Sequence, residues 1–128
     1  MSDTTLQEQD TTFLTGKKYE HEVFPLGSEL HVVIKNFPFP PEHYLPATAD
    51  LLIKIPAGYP NAPLDMFWTN PEIKSINGQP PQKTESREQY HGKEWQRWSR
   101  HYATPWRPGT DSLRSFVQSI HAELKKGI

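Results

Sequence analysis

The stretch Ala49-Asp-Leu-Leu-Ile-Lys-Ile-Pro-Ala-Gly-Tyr-Pro-Asn-Ala-Pro-Leu-Asp-Met-Phe-Trp-Thr69 decides the fold. Ala49 to Ile55 concentrates β-formers and stops at Pro56, and Leu64 to Thr69 resumes the same character. Between them Gly58-Tyr-Pro-Asn-Ala-Pro63 places one glycine and two prolines in six residues, the chemistry of a tight reversal. Two strands joined by so short a turn pair antiparallel.

Upstream, Tyr19 to Phe24 and Glu29 to Asn36 are two further strands, the second carrying Leu30, Val32, Val33 and Ile34, with Pro25-Leu-Gly27 as the turn between them. Sequential strands pair with their neighbours more often than not, so four of them predict an antiparallel meander. The link Phe37-Pro-Phe-Pro-Pro41 fixes φ repeatedly and predicts a rigid, extended crossover. Leu6, Phe13 and Leu14 share one helical face before Gly16, which predicts a short N-terminal helix; residues 1 to 5 carry no apolar pattern and read as a frayed, disordered tail.

Downstream, residues 70 to 94 hold Pro71, Gly78, Pro80, Pro81 and Gly92 among polar residues and predict a long loop. Leu113, Phe116, Val117, Ile120 and Leu124 then follow amphipathic spacing, with Asp111 as the expected N-cap and Lys125 and Lys126 in the last turn. The expected class is therefore α+β: a short helix, a four-stranded antiparallel meander, a long loop and a packing helix. In such a layout one sheet face is covered and the other is left for partners.

The chain has 128 residues, enough for one domain (expected over 6–128) that buries about two thirds of its unfolded surface. It lacks an apolar run of membrane-spanning length and a secretory leader pattern, so a cytoplasmic location is expected. Zero cysteine excludes disulfides, zinc-thiolate sites and thioester chemistry on this chain. The net charge of −1 gives no global attraction for nucleic acid, although Arg87 to Arg107 holds five basic residues against two acidic, a local +3, with His91 and His101 besides. The histidines at 21, 31, 43, 91, 101 and 121 lack ligand spacing, and the seven dispersed glycines form no phosphate cradle. No metal or cofactor is expected.

Three marks in order carry a family resemblance. Ile55-Pro-Ala-Gly-Tyr-Pro60 with Pro63 resembles the turn between strands three and four of the ubiquitin-conjugating enzymes. Asp65-Met-Phe-Trp-Thr69 followed by Pro71 resembles the strand leading to their histidine-proline-asparagine element, and Trp106-Arg-Pro108 the tryptophan-x-proline before their crossing helix. The run Trp95-Gln-Arg-Trp-Ser-Arg-His-Tyr102 resembles the tryptophan-serine-arginine-histidine block of the bacterial family-E branch of that superfamily. The resemblance implies a ubiquitin-conjugating-like fold and, as partners, a ubiquitin-like protein, an activating-enzyme-like protein and a JAB-type peptidase of the same pathway. The family's helices beyond the crossing helix are not expected here.

The resemblance also exposes departures. The family's nucleophilic cysteine lies about eight residues before the tryptophan, where this chain has Trp98, with Ser99 one residue on. The histidine-proline-asparagine element is replaced by Asn70-Pro71-Glu72. Either Asn70 polarises the reacting carbonyl from the other side of Pro71, or backbone N–H groups do so, or nothing does. The candidate nucleophile is then Ser99, which needs a base, and His101 shares its face if the segment is extended. Arg97, Arg100 and Arg107 are the candidate partner-binding residues.

Each assignment competes with a plainer one: a turn serine, a packed histidine, tryptophans serving as core anchors, and solvated arginines. Three functions follow. The first is a carrier that takes a ubiquitin-like C-terminus onto Ser99 as an oxyester. The second is an inactive scaffold of the same fold that binds the ubiquitin-like protein or its activating enzyme. The third, a small nucleic-acid-binding domain using Arg97 to Arg107, ranks last because the net charge opposes it.

Overall fold

The computed structural model describes residues 6–101 and 105–128, so the expected frayed tail and Tyr102 lie outside the described residues. Helix α1 (Glu8–Gly16) leads into β1 (His21–Leu26) and β2 (Glu29–Pro38); β3 (Tyr44–Leu45), β4 (Thr48–Ile55), β5 (Phe67–Asn70) and β6 (Lys74–Ser75) follow. β7 (Arg87–Tyr90), β8 (Lys93–Trp98) and helix α2 (Leu113–Lys125) complete the order. The main sheet is antiparallel throughout, in the order β1-β2-β4-β5-β8-β7, and β3 pairs with β6 apart from it.

The register explains the apolar run of β4. Val32 pairs with Ile53 and Ile34 with Leu51, and these four side chains join the main core beneath α2; Val33 pairs with Leu52, and these two face the other way into a second cluster. Both faces of the sheet are buried here, so apolar residues run on without polar alternation. The five apolar positions predicted for α2 are all buried, each contributing about 1.5–3 kcal/mol of hydrophobic stabilisation. Leu14 of α1 is fully buried, with Leu6 and Phe13 packed against the same core.

Three expectations change. Residues 70 to 94 are not one loop, because β6, β7 and the start of β8 lie within them and the main sheet has six strands. His91 and Gly92 take φ of +54° and +79°, the two-residue reversal that matches sheet twist, and this turn joins β7 to β8. Second, Asp111 does not cap α2: its carboxylate accepts the Arg107 N–H at 2.8 Å, while the Ser112 N–H donates to Ser115 Oγ at 3.0 Å at the helix start. Third, the face away from α2 is not left open, since Val33, Leu52, Trp68 and Trp95 are buried there with Phe24, Met66 and Tyr90 packed around them.

That cover requires a curled sheet. β4 and β5 separate β2 from β8, which in a flat sheet puts β2 and β8 about 14 Å apart. Yet His31 Nδ1 on β2 lies 3.0 Å from His91 Nε2 at the β7–β8 turn. The Lys54 ammonium lies over the same face, 4.3 Å from the ring centres of both Trp68 and Tyr90.

Candidate functional site

The tryptophan-rich run forms β8 and its exit. Trp98 is fully buried and stacks on Phe67 with ring centres 5.1 Å apart, while Trp95 is buried on the opposite face. Between them Gln96 is buried as well. Its amide accepts from Thr69 Oγ1 and the Ile73 N–H, both at 2.8 Å, and donates to the Ile73 carbonyl at 3.0 Å. β8 is therefore immobilised on both faces, and Ser99 leaves it at a fixed place, with its N–H donating to the Lys83 carbonyl at 2.9 Å.

Ser99 is half-buried, and its hydroxyl oxygen accepts from Arg97 Nε at 3.0 Å. Arg97 is held in turn, donating to Glu88 Oε2 at 2.8 Å and to Ser86 Oγ at 3.2 Å. Burial alone would raise the Glu88 pKa, but hydrogen bonds from Tyr90 and Arg97 and the Lys54 charge hold the carboxyl below its usual range. A guanidinium has no acceptor capacity, so Arg97 polarises the serine oxygen without being able to take its proton.

His101 stands elsewhere. Its Nδ1 lies 3.0 Å from both carboxylate oxygens of Asp65, and its side chain is 72% exposed. Asp65 precedes β5 across Met66, a non-glycine residue at φ +60°. The carboxylate keeps the proton on Nδ1 and leaves Nε2 as the basic nitrogen of the neutral ring. Beside this pair, Phe67, Arg100, His101, Phe116, Ser119, Ile120 and Glu123 line a small cavity of about 30 Å³, the scale of one or two waters.

Asn70 is at the opposite end of the β5–β8 pair. Phe67 pairs with Trp98, so Ser99 lies level with Met66, and Asn70 is four residues, about 13 Å, further along β5. Its side-chain amide donates to the Glu94 carbonyl at 2.8 Å. Ser99, His101 and Asn70 thus each have their own partner, and the fold does not bring the three together.

The candidate arginines also part company. The Arg100 side chain is 8% exposed; its Nε and Nη2 donate to the Gln82 carbonyl, Nη2 also to the Ile128 carbonyl, and the guanidinium lies over the Trp98 ring. It clasps the 76–86 segment to the end of α2. Arg107 is 68% exposed and 3.5 Å from Asp111 Oδ1. Among the described residues no group of three or more His, Cys, Asp or Glu side chains is placed to hold a metal ion, and no helix is long and apolar enough to cross a membrane.

The residues missed by sequence reasoning are Asp65, which lies 36 positions from His101, and Glu88, which reaches Arg97 only because β7 folds back on β8. The Tyr90-His-Gly-Lys93 turn was the one local signal for that fold-back.

Two of the three sequence marks of the resemblance, the Tyr59-Pro60 turn and Trp106, meet in space. Trp106 Nε1 donates to the Pro60 carbonyl at 2.8 Å, and its ring centre is 6.5 Å from that of Tyr59. The Tyr59 hydroxyl donates to Asp10 Oδ1 at 3.0 Å and accepts the Leu113 N–H at 2.8 Å, so the turn ties both helices to the sheet. A curled antiparallel sheet with two helices, locked at this turn, is an α+β architecture consistent with the E2-like class. The model of the family described as Prokaryotic E2 family E matches residues 6–127, and the chain belongs to that family. No curated protein and no solved structure matches it.

Proposed function

We propose that this chain acts in a bacterial ubiquitin-like conjugation pathway as a cytoplasmic docking member, which binds the ubiquitin-like protein or its activating enzyme without carrying the acyl group itself. The observation that supports this reading is the partnering of Ser99: its oxygen accepts from Arg97, a donor, and among the described residues no hydrogen bond joins it to the His101 ring. A serine becomes a useful nucleophile only with an acceptor for its proton within reach. Family membership supports the pathway, because E2-like proteins work with ubiquitin-like proteins and activating enzymes.

A second reading is the carrier with an oxyester on Ser99. The half-exposed hydroxyl beside a guanidinium favours it, since that charge would stabilise a forming alkoxide, with His101 or a partner's side chain supplying the base. An oxyester is less reactive toward amines than a thioester, so transfer would be slow or partner-assisted. A JAB-type peptidase would then act on the finished conjugate in either reading.

Calorimetric titration with the cognate ubiquitin-like protein and, separately, its activating enzyme tests the docking role. Binding to one of them that is the same for wild type and Ser99→Ala is the expected result. Absence of binding to both defeats it.

A further inference from the structure

We propose that the His31–His91 pair is an acid-sensitive latch that holds the β7–β8 hairpin over the outer face of the sheet. The two rings meet at Nδ1 and Nε2, 3.0 Å apart, and cross at 84°. A nitrogen–nitrogen hydrogen bond needs one donor and one acceptor. The pair therefore keeps its bond when neutral or when it holds a single extra proton, because one nitrogen still offers a lone pair. A second extra proton makes both nitrogens donors and sets two positive rings in contact, so the bond is replaced by repulsion.

The surroundings set where this happens. His31 is fully buried on β2, and its Nε2 has no hydrogen-bond partner. Glu29 of the same strand is 3.5 Å from that nitrogen, Lys54 on β4 is its register partner, and Tyr90 of β7 packs edge-on to the ring. From β1, Phe24 stacks on His91 with ring centres 4.3 Å apart. Glu88 lies behind, 3.5 Å from the Lys54 ammonium. Burial first, then the charges of His91 and Lys54, push the His31 pKa below 6.5, and the weaker pull of Glu29 does not reverse this.

A folded-state pKa held down gives stability that is complete above pH 6.5 and is lost as the pH falls through the depressed value. What is lost is local. β7 is an edge strand that pairs with β8 alone, whereas β4 is paired on both sides and buried. Acid therefore lifts the hairpin tip first, baring Phe24, Trp68 and Trp95 while the α2 side of the sheet stays closed.

Amide hydrogen exchange between pH 7.5 and 5, corrected for intrinsic rates, tests the latch, with the histidine ring signals titrated by NMR in the same samples. Protection of the Glu88–Trp95 amides should fall at least tenfold while that of Leu51–Ile53 holds, and the fall should coincide with the second of two coupled histidine steps. His91→Asn, whose side chain suits the positive φ, removes the second positive ring and should show a clearly smaller fall with no second histidine step. Unchanged hairpin protection in the wild type, an equal loss in β4, or the same fall in His91→Asn overturns the proposal.

Discussion

The Tyr59 hydroxyl donates to Asp10 Oδ1 at 3.0 Å, both groups buried, and through this one bond the turn between β4 and β5 is joined to α1. Because the same hydroxyl accepts the first N–H of α2, Tyr59→Phe removes one hydrogen-bond partner from a buried carboxylate and one from a helix N-terminal N–H at once. Each such loss costs about 1–3 kcal/mol, so the variant should lose about 2–4 kcal/mol in urea unfolding.

Asp10 gives the same contact a pH dependence. Burial, outweighing the hydrogen bonds from Tyr59 and Leu113, raises its pKa above the ordinary 3.8. An acid whose folded pKa is raised contributes stability that is complete below the unfolded value and is lost as pH rises through the folded one. Asp10→Asn should therefore gain stability over the wild type as pH rises from 3.8, and the gap should close at lower pH, as followed by thermal melts across a pH series.

Gln96 is the polar centre of β8. Replacing it with leucine leaves the Ile73 N–H and carbonyl and the Thr69 hydroxyl to find other partners in a dry interior. A loss of about 2–4 kcal/mol is expected, with near-ultraviolet circular dichroism reporting a loosened Trp98.

Gly127 closes α2 at φ +71°, and a Cβ there would sit 2.6 Å from His43 Nδ1. Gly127→Ala should cost about 1–2 kcal/mol, from the left-handed backbone before any displacement of His43 is counted. Chemical denaturation of the two proteins gives the difference directly.

The parts that could be read in the sequence were those where periodicity and burial agree. Leu113 to Leu124 and the strand–turn–strand from Ala49 to Thr69 each bury the residues their pattern predicts. β8 hid for the opposite reason: Trp95 and Trp98 are buried on opposite faces, with Gln96 buried by its hydrogen bonds and Arg97 half-buried in its ion pair, so no polar alternation marks it. The Pro- and Gly-rich approach masked β6 and β7 in the same way. At the site, Ser99 and His101 suggested a pair because they are two residues apart. Their partners come from Arg97 within β8 and from Asp65 just before the neighbouring strand β5, and the second of these depends on tertiary contact alone.

The most direct measurement is intact-mass spectrometry of this chain after incubation with its cognate ubiquitin-like protein, activating enzyme and ATP. The docking account predicts an unmodified mass for the wild type alongside a stable noncovalent complex. A thiol-resistant, hydroxylamine-labile adduct that disappears in Ser99→Ala and becomes thiol-sensitive in Ser99→Cys would contradict it.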